Sequence, residues 1–332
     1  MKKGAATMER SRGEETEARA AVVLGALVAD AASMGLHWLY DPDHLAMIAK
    51  RQDPTFLAAD RQHFEDAKGY FAHEGKLSGE LTQYGATLAL AMNALVASEG
   101  RLDIADYQRR YLAFFGPGGD WKGYIDRPTR GTLAKLGTAV DEDTPRASGI
   151  DDDQMPAFSP VPAVVAAGPE RPDLEQEVIG MVRVTNDNPL AMEAALILAR
   201  TLRAVLQGEE TAAVLTREAE AAGDELKPLL REALAASDRN STDIAGHFGR
   251  ACHVQEGLPV VFHILRGAKS YESAVRANIL AGGDTCGRAM ALGSILCARF
   301  GLGGERGMPL AWLTRLAGGA PLLDQTYRLA AC

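Results

Sequence analysis

Residues 20–36 read AAVVLGALVADAASMGL, the longest apolar stretch in the chain. Apolar positions recur at helical spacing from Glu17 to Leu39 and are broken only by small residues, which predicts a helix. If this helix continues, Asp30 and His37, seven positions apart, lie near one face of it. Asp30 is the one charged residue within residues 20–36.

The composition extends this prediction to the whole chain of 332 residues. Hydrophobic residues make up 47%, charged residues 24% and aromatic residues 6%. These proportions exclude wholesale disorder and favour packed helices over a β-sandwich or barrel. Helical patterns recur with no sustained alternation and no repeat, so we expect an all-α fold with one domain over residues 18–332 behind a loose tail, residues 1–17. The predicted helices after the first cover residues 82–98, 103–115, 190–207, 211–222, 226–237, 260–266, 271–280 and 285–300.

The charge pattern narrows the possible partners. A net charge of −9 and the absence of a basic stripe argue against binding to nucleic acid or to an anionic membrane surface. Asp30 lies inside the longest apolar stretch and would oppose membrane insertion. The four cysteines (Cys252, Cys286, Cys297 and Cys332) form no CxxC pair, which suits a reducing, cytoplasmic location. We therefore expect a cytoplasmic protein that binds neither nucleic acid nor a membrane; the sequence leaves its oligomeric state open.

The most distinctive local motif is AGGDTCGR at residues 281–288. Two glycines permit unusual backbone angles, and Asp284 follows them at the predicted start of the last long helix. One interpretation is an ordinary N-cap, for which Asp is among the best residues. The other is a functional carboxylate. Cys286 allows a similar pair of interpretations: a nucleophile whose pKa the helix dipole lowers, or a small buried thiol between helices.

A second acidic motif, Asp151-Asp152-Asp153-Gln154, precedes a proline-containing segment. Adjacent carboxylates repel one another, so such a run tends to hold a cation or to raise the pKa of one member. The alternative is a solvated acidic turn. His37 is similarly open between a core histidine bonded to backbone and a site residue, and the seven histidines show no zinc-binding spacing.

Taken in order, several segments resemble the ADP-ribosylglycohydrolase superfamily of the dinitrogenase-reductase-activating type. The similarity spans nearly the whole chain beyond residue 18. Four short motifs (HWLYD, YIDRPTRGTL, DDDQ and GGDTCGR) are nearest to the branch that contains the J-crystallins and a related selenoprotein. The resembling segments are residues 25–32, 82–95, 149–162, 184–188, 254–259 and 277–293.

The resemblance implies a single-domain orthogonal helical bundle with a central cleft. In the main family that cleft holds two Mg²⁺ or Mn²⁺ ions, which bind the ribose hydroxyls and orient water. The ions are held by an acid after the first helix, a Thr-acid-acid triplet and an acid-Thr-acid-Thr segment. Oxygen-rich cages of this kind suit hard divalent ions.

This sequence departs from that ligand set. His37 stands at the first acid, Thr82-Gln83-Tyr84 at the triplet, and Cys286-Gly287 replace an acid and a Thr after Asp284 and Thr285. Imidazole and thiol are poor Mg²⁺ ligands, so the paired-metal site is expected to be largely replaced, with Asp284 the ligand if one Mg²⁺ is retained. No cofactor is otherwise expected.

Three functions follow from the resemblance. The first is an enzyme acting on a nucleotide, nucleoside or related glycosyl-type small molecule through carboxylate acid/base chemistry. The second is an Mg²⁺-dependent ADP-ribosyl hydrolase with one retained metal, and the third is a non-catalytic structural or binding protein of the J-crystallin kind. For the first function, the expected catalytic residues are Asp284, Asp152, Asp153, His37 and Tyr84. The expected substrate-binding residues are Asp30, Thr82, Gln83, Asp151, Gln154, Gly283, Cys286 and Arg288.

Overall fold

A computed structural model describes residues 11–137 and 144–332, which fold into helices packed around one hydrophobic core. Within these ranges, β-structure is limited to isolated bridges. The predicted all-α fold is therefore confirmed. Short 3₁₀ helices cover Met34–Leu36, Arg61–Phe64 and Met155–Phe158. The α-helices are α1 (Arg12–Ser33), α2 (Pro42–Arg51), α3 (Gln83–Ala97), α4 (Ile104–Phe115), α5 (Arg127–Leu136), α6 (Val161–Ala167), α7 (Leu174–Arg183), α8 (Pro189–Leu206), α9 (Thr211–Ala221), α10 (Lys227–Ala235), α11 (Ser241–Phe248), α12 (Val254–Gly267), α13 (Tyr271–Ala281), α14 (Thr285–Phe300), α15 (Leu310–Leu313) and α16 (Gly319–Ala330).

Helix α1 begins earlier than the apolar pattern predicts. Ser11 caps it: its hydroxyl accepts the Glu14 N–H, and the Glu14 carboxylate accepts the Ser11 N–H at 2.8 Å. This reciprocal pair satisfies free N–H groups at the helix start, so the polar residues that follow are helical. The predicted loose tail is wrong for residues 12–17, and residues 1–10 lie outside the described residues.

Helix α1 also ends sooner than the pattern predicts. It stops at Ser33, and after a 3₁₀ turn Trp38 has a left-handed backbone with φ of 65°. The Trp38 N–H donates to the Gly283 carbonyl and its own carbonyl accepts from the Tyr70 N–H. These tertiary hydrogen bonds replace the helical ones, so the chain leaves the helix before His37.

By length and mean hydropathy (1.5), the segment Arg12–Leu36 could cross a membrane. In this fold 94% of that apolar window is buried inside the protein. The segment has the burial of a central core helix, enclosed by its neighbours on all sides.

Helices α1 and α14 pack antiparallel and come into backbone contact through two glycines. A β-carbon placed on Gly25 would lie 2.2 Å from the Gly293 carbonyl oxygen and 2.6 Å from the Cys297 sulfur. A β-carbon on Gly293 would lie 2.1 Å from the Gly25 carbonyl oxygen. The antiparallel direction sets the end of α1 beside the start of α14, and so brings His37 to Asp284.

The contact between the helices can be tested with Gly25→Ala. Because the added methyl group collides with backbone and with Cys297, we expect the free energy of unfolding to fall by about 1–3 kcal/mol, as for overpacked cores. Urea unfolding would measure this change. The control is Gly13→Ala in the same helix, where nothing lies within 4 Å of the new methyl group. That variant should be unchanged or more stable, by up to about 1 kcal/mol. Equal effects at the two positions would contradict the close crossing.

Candidate active site

Asp284 occupies the N-cap of α14, where its Oδ1 accepts the Gly287 N–H at 2.9 Å. The two residues before it, Gly282 and Gly283, have φ of 75° and 70°, a conformation that favours glycine. A β-carbon on Gly283 would lie 2.0 Å from the Arg250 carbonyl oxygen. The glycine pair therefore allows the chain to turn sharply into α14 and aim the Asp284 carboxylate at His37.

The Asp284 carboxylate contacts more than the helix that it caps. Oδ1 also lies 2.9 Å from His37 Nε2, and Oδ2 accepts the Tyr84 hydroxyl at 3.2 Å. The exposed fractions are 0% for Asp284, 1% for His37 and 4% for Tyr84. The side chains of His37, from the loop after α1, and Tyr84, from α3, thus meet at the buried carboxylate of Asp284.

A second histidine, His73, extends this cluster. Its Nε2 lies 2.7 Å from His37 Nδ1, and the two rings stack with centroids 5.0 Å apart. An ionised carboxylate only accepts hydrogen bonds, so His37 donates to Asp284 through Nε2–H and accepts from His73 at Nδ1. The array is therefore Asp284–His37–His73. His73 was not among the predicted site residues, since it stands 36 positions from His37 with no periodic relation to it.

Backbone pairing positions His73. Residues 68–70 run alongside residues 38–40: the Tyr40 N–H donates to the Lys68 carbonyl and the Tyr70 N–H to the Trp38 carbonyl, at 2.8 and 2.9 Å. An isolated bridge joins Leu39 and Gly69. This short pairing holds an otherwise irregular segment against the end of α1 and delivers His73 to His37.

The protonation states follow from burial and hydrogen bonding. Burial alone would raise the pKa of Asp284, but hydrogen bonds from His37 and the Gly287 N–H hold that pKa below its ordinary value. Burial lowers the pKa of His37 and puts the pKa of His73 well below its usual range. Burial also raises the pKa of Tyr84. At neutral pH the cluster is one carboxylate facing two neutral imidazoles and a phenol.

Aromatic rings connect this cluster to the protein surface. The Trp38 ring lies parallel to that of His73 and edge-on to Tyr124, and its Nε1–H donates to Cys252 Sγ at 3.2 Å. Tyr70, which packs against Trp38 and Tyr124, is 54% exposed. A chain of contacting aromatic rings, set at angles to one another beyond Trp38, therefore runs from the histidines outward.

Asp30 and Thr82 form a separate buried pair beside the cluster. Asp30 accepts the Thr82 hydroxyl at 2.5 Å and the Thr82 N–H at 2.8 Å, while Thr82 caps α3. Burial raises the pKa of Asp30 to about 7, even though these hydrogen bonds act against the rise. Thr82 and Asp30 thereby fix the start of α3, the helix that carries Tyr84.

Gln83 links α3 to α5. Its Oε1 accepts the Asp126 N–H at 2.6 Å, and its Nε2 donates to the Thr129 hydroxyl. Asp126 caps α5 through the Thr129 N–H, and burial raises its pKa. Asp126 was not among the predicted site residues, although an Asp just before Arg-Pro at a helix start is an N-cap signal.

The acidic loop is held by partners of its own. Asp151 accepts from the Asn188 side chain at 2.6 Å, Asp152 pairs with Arg127 at 3.0 Å, and Asp153 lies 2.7 Å from His253 Nδ1. Within residues 11–137 and 144–332, no hydrogen bond or ion pair joins these carboxylates to Asp284. The Gln154 N–H closes the loop onto Asp152 Oδ1.

The remaining predicted site residues support the local architecture. Gly283 exchanges backbone hydrogen bonds with residues 38 and 39. Arg288 is fully buried and donates to the carbonyls of Asn278 and Gly282 at the end of α13. Burial raises the pKa of Cys286, so the lowered value expected from the helix dipole is wrong. The Cys286 thiol, on α14, donates to the backbone carbonyl of Asp30, on α1, at 3.7 Å.

Comparison with known proteins identifies the family. Residues 12–331 match the family described as ADP-ribosylglycohydrolase. The chain belongs to the ADP-ribosylglycohydrolase family. Two similar relatives are crystallin J1A of Tripedalia cystophora, 26% identical over 93% of this chain and 95% of the crystallin, and crystallin J1B of the same organism, 24% identical over 95% and 97%. A solved structure titled "ADP-ribosylglycohydrolase-related protein complex" has the same fold, with a TM-score of 0.72, 17% identity and coverage of 96% and 98%.

The residues present do not fit the paired magnesium ions that the ADP-ribosylglycohydrolase family implies. Mg²⁺ requires near-octahedral oxygen ligands. Here Asp284 faces an imidazole and a phenol, and both oxygens of Asp30 accept from Thr82. Within the described part of the chain, no group of three or more His, Cys, Asp or Glu is arranged to hold a metal ion.

The raised pKa of Asp30 predicts a specific pH dependence of stability. The folded state holds the Asp30 proton up to about pH 7, whereas the unfolded state releases it near pH 4. Between these values the folded state binds more protons, so the Asp30 contribution to the free energy of unfolding falls as the pH rises.

We therefore expect Asp30→Asn to flatten the pH dependence of urea unfolding between pH 4 and 7. Its absolute stability is a separate matter, because the amide cannot accept both Thr82 hydrogen bonds; only the slope is compared. The exposed Asp238→Asn should keep the wild-type slope. Parallel profiles for wild type and Asp30→Asn would contradict the assignment.

Proposed function

We propose that this protein is a hydrolase that cleaves the glycosidic bond of a nucleotide, nucleoside or related small molecule, using Asp284 and His37 as its acid/base pair in place of paired metal ions. The observation that carries this proposal is the buried carboxylate of Asp284, held between His37 and Tyr84. Membership of the ADP-ribosylglycohydrolase family supports the bond type.

The cost of this cluster supports a chemical role for it. An ionised carboxylate removed from water is unfavourable to folding, and apolar side chains of similar volume often stabilise a core as well or better. To cap the helix, Asp284 needs only its contact with the Gly287 N–H. Capping does not require that His37 and Tyr84 also bind this carboxylate. Titratable groups with perturbed pKa values concentrate at functional sites.

The proposed chemistry gives each group one role. Cleavage breaks the bond from the anomeric carbon to the leaving group, and water supplies a hydroxyl to that carbon and a proton to the leaving group. His37 moves the proton, and Asp284 stabilises the imidazolium that forms, as a buried carboxylate does for a catalytic histidine. The Tyr84 phenol is placed to donate a hydrogen bond to charge that develops beside Asp284. Asp152 and Asp153 have no acid/base part in this scheme, because Arg127 and His253 hold their carboxylates.

Substrate must reach this pair past residues 68–73, which cover His37. The exposed ring of Tyr70 offers an aromatic face suited to a planar group on the substrate. Aromatic faces of this kind commonly stack nucleobases.

A second candidate function is a non-catalytic structural or binding role. The similarity to two crystallins favours it, as does the complete hydrogen bonding of the Asp284 carboxylate. The one-magnesium ADP-ribosyl hydrolase receives no support from the donor set around Asp284.

Turnover by the purified protein distinguishes these candidates. We would measure release of free base or ribose from ADP-ribosylarginine, ADP-ribose, NAD and common nucleosides, with and without a chelator of divalent ions. We expect hydrolysis of at least one compound that survives the chelator and falls at least 100-fold in Asp284→Asn and His37→Gln. Asparagine is also a good N-cap, so Asp284→Asn should remain folded.

Asp238→Asn is the matched control for Asp284→Asn and should retain wild-type turnover, because Asp238 is exposed in a loop. Hydrolysis lost on chelation and restored by Mg²⁺ would favour the one-metal hydrolase. No hydrolysis of any compound, with the fold intact, would favour the non-catalytic role.

A further inference from the structure

The Asp284–His37 pair is sealed from solvent, yet acid/base turnover requires it to exchange protons with water. Its contacts limit the possible routes. Asp284 Oδ1 contacts His37 and the Gly287 N–H, and Oδ2 contacts Tyr84, which is itself buried. The other ring nitrogen of His37 contacts His73. His73, beside His37, and Cys252, whose thiol interacts with Asp284, are therefore the next titratable side chains outward from this pair.

We propose that His73 carries protons between the buried Asp284–His37 pair and water. This inference rests on the proposed function, which requires proton exchange with water. The path of the protons is inferred from the geometry alone. His73 exposes 6% of its surface, against 1% for His37. Its Nδ1 makes no hydrogen bond within the described residues, while its Nε2 lies 2.7 Å from His37 Nδ1.

The transfer balances with solvent alone. A hydronium ion gives a proton to His73 Nδ1 and leaves as water, and the proton on His73 Nε2 moves to His37 Nδ1. His37 is then an imidazolium whose Nε2–H still donates to the ionised Asp284 carboxylate, and His73 is neutral with its proton at Nδ1. The reverse sequence returns one proton to water and restores the neutral His37.

Other nearby groups are less suited to this route. Burial, and then the neighbouring Asp284 carboxylate, raise the pKa of the Cys252 thiol far above neutrality, so this thiol keeps its proton; its sulfur accepts from Trp38. The titratable groups that act on His73 are His37 and Lys76, and both lower its pKa. His73 is thus neutral at rest and protonates only transiently, as a proton carrier must.

The exchange of His37 between its neutral and protonated forms tests the route without any substrate. Long-range ¹H–¹⁵N NMR of the full chain identifies the His37 ring nitrogens, and ¹⁵N relaxation dispersion gives the rate of this exchange. His73→Phe keeps a ring beside Trp38 but removes both nitrogens. His73→Gln can still donate to His37 Nδ1 but cannot take up one proton and pass on another. We expect exchange to slow at least tenfold in both variants.

Rescue separates proton transfer from a packing role. In His73→Ala, free imidazole added to the buffer should restore the exchange rate in proportion to its concentration, whereas thiazole, a ring of similar size that is too weak a base to carry protons near neutral pH, should not. The control is His247→Gln, at an exposed histidine that contacts Glu232 on the surface; it should leave the rate unchanged.

An unchanged exchange rate in both His73→Phe and His73→Gln would overturn the proposal. So would a rate that rises in every variant, which would mean that His73 only shields His37. Neither result depends on turnover. An inactive protein with slowed exchange would therefore reject the proposed function and keep the route, and an active one with unchanged exchange would do the reverse.

Discussion

The backbone contact between Gly25 of α1 and Gly293 of α14 is the constraint on which the rest of the structure depends. Side chains at either position would push the two helices apart. This short separation fixes which residues of the antiparallel pair lie opposite each other. Asp30 contacts Cys286, and the loop after α1 contacts the start of α14. The candidate active site lies where the end of α1 meets the start of α14. Packing of the core helices therefore sets its geometry, and the irregular segment after α2 adds His73.

Local sequence signals predicted most of the helices, because each carries its own start and stop. Thr82 caps α3, residues 104–115 form α4 before a glycine-rich stop, and α14 covers residues 285–300, all close to the predicted bounds. Resemblance to the ADP-ribosylglycohydrolase family predicted the fold, and the structure places Asp284, His37 and Tyr84, which that resemblance aligned with metal-ligand positions, in contact with one another. The two errors on α1 have local causes too: a capping box in polar sequence, and a left-handed residue that no periodicity reveals.

The remainder of the site depends on contacts between distant residues. Backbone pairing of two irregular segments brings His73 to His37. No sequence pattern in either segment predicts this pairing. Asp152 and Asp153 were expected to share acid/base chemistry with Asp284, yet their carboxylates pair with Arg127 and His253 instead. Charge shows that a carboxylate needs a partner, but only the fold decides which one is within reach.

The N-cap position of Asp284 bears on how relatives of this protein should be interpreted. A chain that abandoned all chemistry would still lose about 1 kcal/mol by discarding the aspartate that starts α14. Selection for folding alone would keep it, so its retention in a sequence says little about activity. His37 and His73 contribute no such cap. Under the proposed function, retention or loss of the histidine pair among relatives would therefore separate enzymes from non-catalytic proteins that keep the same scaffold.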